Sequence, residues 1–89
     1  MKMSNDDIKK ITEIKQYLLD PPISFKLHEY ALSYLQNVIS VLKAYPKTEN
    51  DIQDFEILID RIKDKQIELS DLRNALKQAG IKLSRLTNK

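Results

Sequence analysis

The chain of 89 residues contains no cysteine, no tryptophan, one histidine and one glycine. Each shortage closes a class of chemistry. Without cysteine there is no disulfide, no thiolate metal site and no cysteine nucleophile. Secreted domains of this size are often stapled by disulfides, so their absence leans towards a reducing compartment, and a cytoplasmic location is expected. One glycine, Gly80, cannot form a glycine-rich phosphate loop. One histidine with no cysteine cannot build a His/Cys zinc site. A Ser-His-Asp triad would have to use His28. By helical phase His28 lies within an apolar arc, which reads as a half-buried ring hydrogen-bonded near the start of its helix. No cofactor, metal or small-molecule site is expected, and the chain is not expected to be an enzyme.

Long apolar runs are missing too. The longest uncharged stretch, Tyr30–Leu42, has thirteen residues and includes Ser33, Gln36, Asn37 and Ser40. A membrane span needs about 20 mostly apolar residues. The opening MKMSNDDIKK has charges with no apolar core behind them, unlike a signal peptide. A soluble protein is expected.

What is present is a folding composition: 42% hydrophobic and 31% charged residues. Only three prolines and one glycine interrupt it. Few breakers among many Lys, Glu, Leu, Ile and Gln residues favour long helices. The expected fold is all-α: a single domain over residues 1–89, forming a small antiparallel helical bundle of three long helices plus a shorter fourth.

The apolar spacing places four segments. The first runs from Asn5 to Leu19, capped by Ser4, with Asp6 and Asp7 at the positive end of the helix dipole. Ile8, Ile11, Ile14, Leu18 and Leu19 carry its stripe, and Asp20-Pro21-Pro22 ends it. The second runs from Ser24, its expected cap, to Tyr45 and is stopped by Pro46. At about 100° per residue its apolar residues cover roughly 200°, more than one-sided packing requires. Either neighbours flank this helix on two sides, or part of the arc contacts another molecule. The third runs from Asn50 to Lys65, capped by Thr48 or Asn50. Its inward stripe is Ile52, Phe55, Leu58, Ile59 and Ile62, and Ile57 falls outside it. The fourth begins near Ser70, with Leu69, Leu72, Ala75, Leu76 and Ala79 inward. Gly80 suits a helix C-terminus, so a stop is expected there, although Leu83 and Leu86 continue the stripe. Loops of three to five residues should join these segments.

Charge is unevenly spread. Residues 1–46 have six basic and five acidic side chains, residues 47–71 four basic and eight acidic, and residues 72–89 five basic and none acidic. The acidic stretch, Glu49 to Asp64, lacks the D-x-D-x-D-G pattern of a calcium loop. Its carboxylates share a solvated helix face, where nothing separates them into an acid and a base. Asp51 and Asp54 suit the helix dipole, while Asp60 and Asp64 alternate with Arg61, Lys63 and Lys65. The basic end, Arg73, Lys77, Lys82, Arg85 and Lys89, could neutralise phosphates. The string LSDLRNALKQAGIKLSRL is loosely similar to a helix-turn-helix. It departs from that motif at Leu76, where a small residue is usual, and in the shortness of any helix after Gly80.

These readings converge on a protein-binding module that docks without turnover: a regulator, inhibitor, immunity-type protein or assembly subunit. The expected partner is another protein, a second copy of the chain included. Tyr30, Tyr34, Val41 and Ile57 are the candidates for apolar contact, since tyrosines at the margin of an apolar arc serve interfaces as well as cores. Asp60, Asp64, Lys82 and Arg85 are the candidates for charge steering. The alternative is nucleic-acid binding through Arg73, Lys77, Lys82, Arg85 and Lys89.

Overall fold

The computed structural model describes residues 3–21, 26–64 and 67–87, with the side chains of residues 3–21, 26–64 and 67–86. Four α-helices follow in order: α1 Asn5–Leu19, α2 Leu27–Leu42, α3 Glu49–Lys63 and α4 Leu69–Thr87. No strand occurs among the described residues. The chain is therefore the expected small all-α bundle. Helix α1 packs closely on α4, and α2 on α3. The two pairs meet less closely, along α1 with α2 and along α3 with α4.

One apolar cluster joins all four helices. Ile11, Ile14 and Leu18 of α1 meet Leu27, Ala31, Leu35, Val38, Ile39, Val41 and Leu42 of α2. Phe55, Leu58, Ile59 and Ile62 of α3 and Leu72, Leu76, Ala79 and Leu83 of α4 complete it. The wide arc of α2 is thus explained by neighbours on two sides, α1 and α3.

Local chemistry sets the helix ends. Ser4 caps α1, its hydroxyl accepting from the Asp7 N–H at 3.2 Å. Met3, just before the cap, is buried, and Ile8 packs on the same core, the two positions of a hydrophobic staple. The Tyr45 hydroxyl ties this end of α1 to the chain beyond α2. It accepts from the Ser4 N–H at 3.2 Å and donates to the Asp7 carboxylate. The Tyr45 bond first, and Ser4 second, hold the Asp7 carboxyl below its ordinary value. That stabilisation is present above the usual carboxylate range and is lost as pH falls through the lowered value.

Helix α2 ends at Leu42, before the expected Tyr45. Ala44 and Tyr45 instead donate to Val41 and Leu42 carbonyls three residues back, a tighter winding that ends at Pro46. Lys47 then takes a left-handed backbone, φ 67°. Thr48 does precede α3, but its side chain makes no bond to that helix. Its buried hydroxyl turns back to the Leu42 and Tyr45 carbonyls, at 2.9 and 3.0 Å. It ties the connection back to the end of α2 rather than serving the orphan donors of α3. The connection is six residues, 43–48, longer than expected. Ser24 and Lys65, the expected cap of α2 and end of α3, lie outside the described residues.

The main correction concerns α4, which does not stop at Gly80 but continues to Thr87; with 19 residues it is the longest of the four helices, not the shorter fourth that was expected. Glycine inside a helix costs about 1 kcal/mol relative to alanine. Burying one leucine side chain recovers about 1.5–3 kcal/mol. Leu83 is fully buried and Leu86 packs on the core, so continuing the helix wins. Gly80 has another use. A Cβ placed on it would lie 2.8 Å from Leu19 Cγ and 3.3 Å from the Leu19 backbone nitrogen. Only a residue without a side chain lets α1 and α4 come this close.

Candidate functional site

The less intimate contact between α3 and α4 leaves a groove of about 310 Å³. Its construction follows from the two helices' sequences. On α3, Phe55 and Leu58 belong to the inward stripe and are buried, so they form the floor. On α4, Ala75 and Ala79 face them, and their short side chains leave the space unfilled. Ile57 stands on the α3 lip with 54% of its surface exposed, and Gln78 lines the α4 side. Asp54 and Lys82 border the groove together, and Arg61 also lines it.

Lys82 is bound to the opposite lip. Its ammonium donates to the Asp54 carboxylate and lies 3.9 Å from Asp51. All three side chains are partly exposed, so each ion pair contributes on the order of 0–1 kcal/mol. Their effect is chiefly to place charge: two acids and one base at one part of the rim, with Arg61 about 10 Å further along α3. A second hollow of about 230 Å³, lined by Arg61, Asp64, Ile67 and Asp71, lies where α3 passes to α4. Arg61 borders both.

The expected contact residues do not share one surface. Ile57, exposed beside the groove, and Lys82, at its rim, fall in one place. Asp64 lines the second hollow, while Asp60 is exposed on α3 without lining either space. Tyr30 and Tyr34 lie elsewhere, on α2. Tyr30 is exposed, but Tyr34 is half-buried against Tyr17 of α1, ring centroids 4.3 Å apart and 33° between planes. The Tyr17 hydroxyl is buried without a hydrogen-bond partner. Burial first, and the neighbouring Tyr34 and Tyr30 second, raise its pKa. Val41, expected as a contact residue, is a correction: it is buried in the core between α2 and its neighbours.

No protein family, curated protein or solved structure matches the chain.

The basic end is divided by the helix that carries it. At about 100° per residue, Arg73, Lys77, Arg85 and Lys82 spread over roughly half of the circumference of α4. Lys82 is turned to α3, Arg73 is half-buried, and Lys77 and Arg85 are exposed. Lys89 lies outside the described residues. His28 is half-buried, and its Nε2–H donates to the Ile67 carbonyl at 3.3 Å, fastening the start of α2 to the α3–α4 connection. Among the described residues no cluster of His, Asp or Glu could hold a metal ion, and no helix is long and apolar enough to cross a membrane.

The groove itself is not legible in the sequence, although parts of it are. Ala75 and Ala79 belong to the inward stripe of α4, and Asp54 suits the dipole at the start of α3. The available signal was the pair of alanines one turn apart on an otherwise leucine-rich stripe. Small residues there imply either a close neighbour or a gap, and only the distance to α3 distinguishes them.

Proposed function

We propose that the chain is a small, non-catalytic protein-binding module whose α3–α4 groove receives apolar side chains of a partner. One observation carries this reading: an isoleucine more than half exposed stands beside a groove with a buried apolar floor. Interfaces of this kind combine an apolar centre with a polar rim, and paired helices commonly accept the apolar face of a third. Asp54, Arg61 and Lys82 supply a rim of mixed charge that sets a partner's orientation. Regulators, inhibitors, immunity-type proteins and assembly subunits all act through such docking. The basic residues of α4 support nucleic-acid binding less well, because they do not share one face and Lys82 already serves Asp51 and Asp54.

The test is affinity capture from the native host with the wild-type chain and Ile57→Glu as parallel baits. A charge at the centre of the contact should reduce recovery of the specific partner about tenfold, as for an interface hot spot. Equal recovery of every retained protein by both baits would refute docking at this groove. Circular dichroism should show the two baits equally helical, since Ile57 lies outside the core.

A further inference from the structure

We propose that the occupant of the α3–α4 groove is a second copy of the chain, laid groove to groove with the two α3 helices antiparallel; this rests on the groove being a protein-docking surface. A two-fold contact must be self-complementary, so that residue i of one copy meets residue j of the other and the reverse. The groove has this property. Asp54 and Arg61 both line it, three residues before and four after Ile57. Seven residues make nearly two turns, so the two charges lie on the same side of α3, within roughly 20° of each other.

With the two-fold axis beside Ile57, antiparallel α3 helices set Asp54 of each copy against Arg61 of the other. The same operation brings the two exposed Ile57 side chains together over the open grooves. A parallel arrangement would instead oppose like charges, acid on acid and base on base. The rim is also balanced in charge: Asp51 and Asp54 face Lys82 on the same copy, and Arg61 lines the groove nearly two turns further along α3. Two copies therefore approach without a net repulsion at the rim. Asp60, which would add negative charge, does not line the groove.

Sedimentation equilibrium from micromolar to millimolar concentration tests the proposal. The wild-type chain should show a monomer–dimer equilibrium, which Ile57→Glu abolishes. Asp54→Arg and Arg61→Glu should each weaken the dimer about tenfold, because each replaces two attractive contacts by two repulsive ones of ordinary exposed strength. An equimolar mixture of these two variants should recover a dimer near wild-type affinity, since in the mixed pair every introduced charge meets an opposite one. Loss of folding in either variant could not produce that recovery. A wild-type chain that stays monomeric throughout, a dimer indifferent to Ile57→Glu, or a mixture no tighter than its components would each overturn the second-copy assignment. The capture experiment above then reads independently whether the groove binds a different protein.

Discussion

Helix α4 carries small residues on two flanks, and the two flanks end in opposite states. Towards α1, Gly80 admits Leu19 so closely that no Cβ would fit between them. Towards α3, Ala75 and Ala79 face Phe55 and Leu58 across a groove of about 310 Å³. A small side chain therefore does not by itself specify close packing. It permits close approach where the neighbouring backbone moves in, and leaves a hollow where the neighbour stays back. On this bundle the first solution builds a tight part of the scaffold, and the second leaves an open groove on its surface.

The sharpest way to break that contrast is to add one carbon on the tight side. Gly80→Ala would ordinarily gain about 1 kcal/mol in a helix interior. Here the new Cβ meets Leu19, including its backbone, and overpacking of this kind costs typically 1–3 kcal/mol. The two effects leave a net loss of about 1–2 kcal/mol, since a contact at 2.8 Å places the overpacking in the upper part of its range. Urea denaturation would measure it. A variant more stable than wild type would mean that α1 can withdraw at no cost, and the contrast between the flanks would fail.

Adding bulk on the open side should do the reverse. Ala75→Leu places a side chain of nearly equal helix propensity into unoccupied space. Ala75 is only half-buried, so the change in stability should stay within about 1 kcal/mol and favour the folded state. Occupying the groove should at the same time remove docking, read as loss of the captured partner and of self-association. Retained docking with a filled groove would separate the function from this surface.

Much of the architecture was legible in the sequence because it depends on local rules. The limits of α1 follow from the Ser4 cap and the Asp20-Pro21 stop, and the inward stripes follow largely from their spacing; Leu69, expected inward, is the exception, 44% exposed at the very start of α4. The exposure of Ile57 followed from its phase alone. What failed depends on relations between helices. Gly80 looked like a terminus because its local preference is a turn, while its actual constraint comes from Leu19, some sixty positions away in the chain. Val41 looked like a margin residue because the arc of α2 was too wide for one neighbour, and it has two. The acid-free tail after Leu72 looked like one patch, until the helix dispersed it and Asp54 took up Lys82. A groove between helices is set by their separation, and no single helix's pattern records that distance.

The seam between α1 and α2 is a control for the other open seam. It too joins helices that meet less closely, yet there the tilted rings of Tyr17 and Tyr34 pack against each other across the gap. Filling a seam with tyrosine has a drawback visible at Tyr17, whose hydroxyl is buried with no partner. Tyr17→Phe keeps the ring contact and removes the unsatisfied group. The expected result is a gain of up to about 1 kcal/mol, no larger than the effect of Ala75→Leu, because an unpaired buried hydroxyl is a penalty the variant no longer carries. The pH dependence gives an independent reading. Burial holds the Tyr17 pKa above its ordinary value of 10.0, so below that value both folded and unfolded chains keep the proton and stability is unaffected. As pH rises past it, the unfolded chain ionises first, and stability falls until the raised folded pKa is passed. The wild-type chain should lose stability more steeply than Tyr17→Phe on the alkaline side, and the two should run parallel near neutrality. Parallel curves throughout would place the Tyr17 hydroxyl in water, and the α1–α2 seam would then be less completely closed than the ring contact implies.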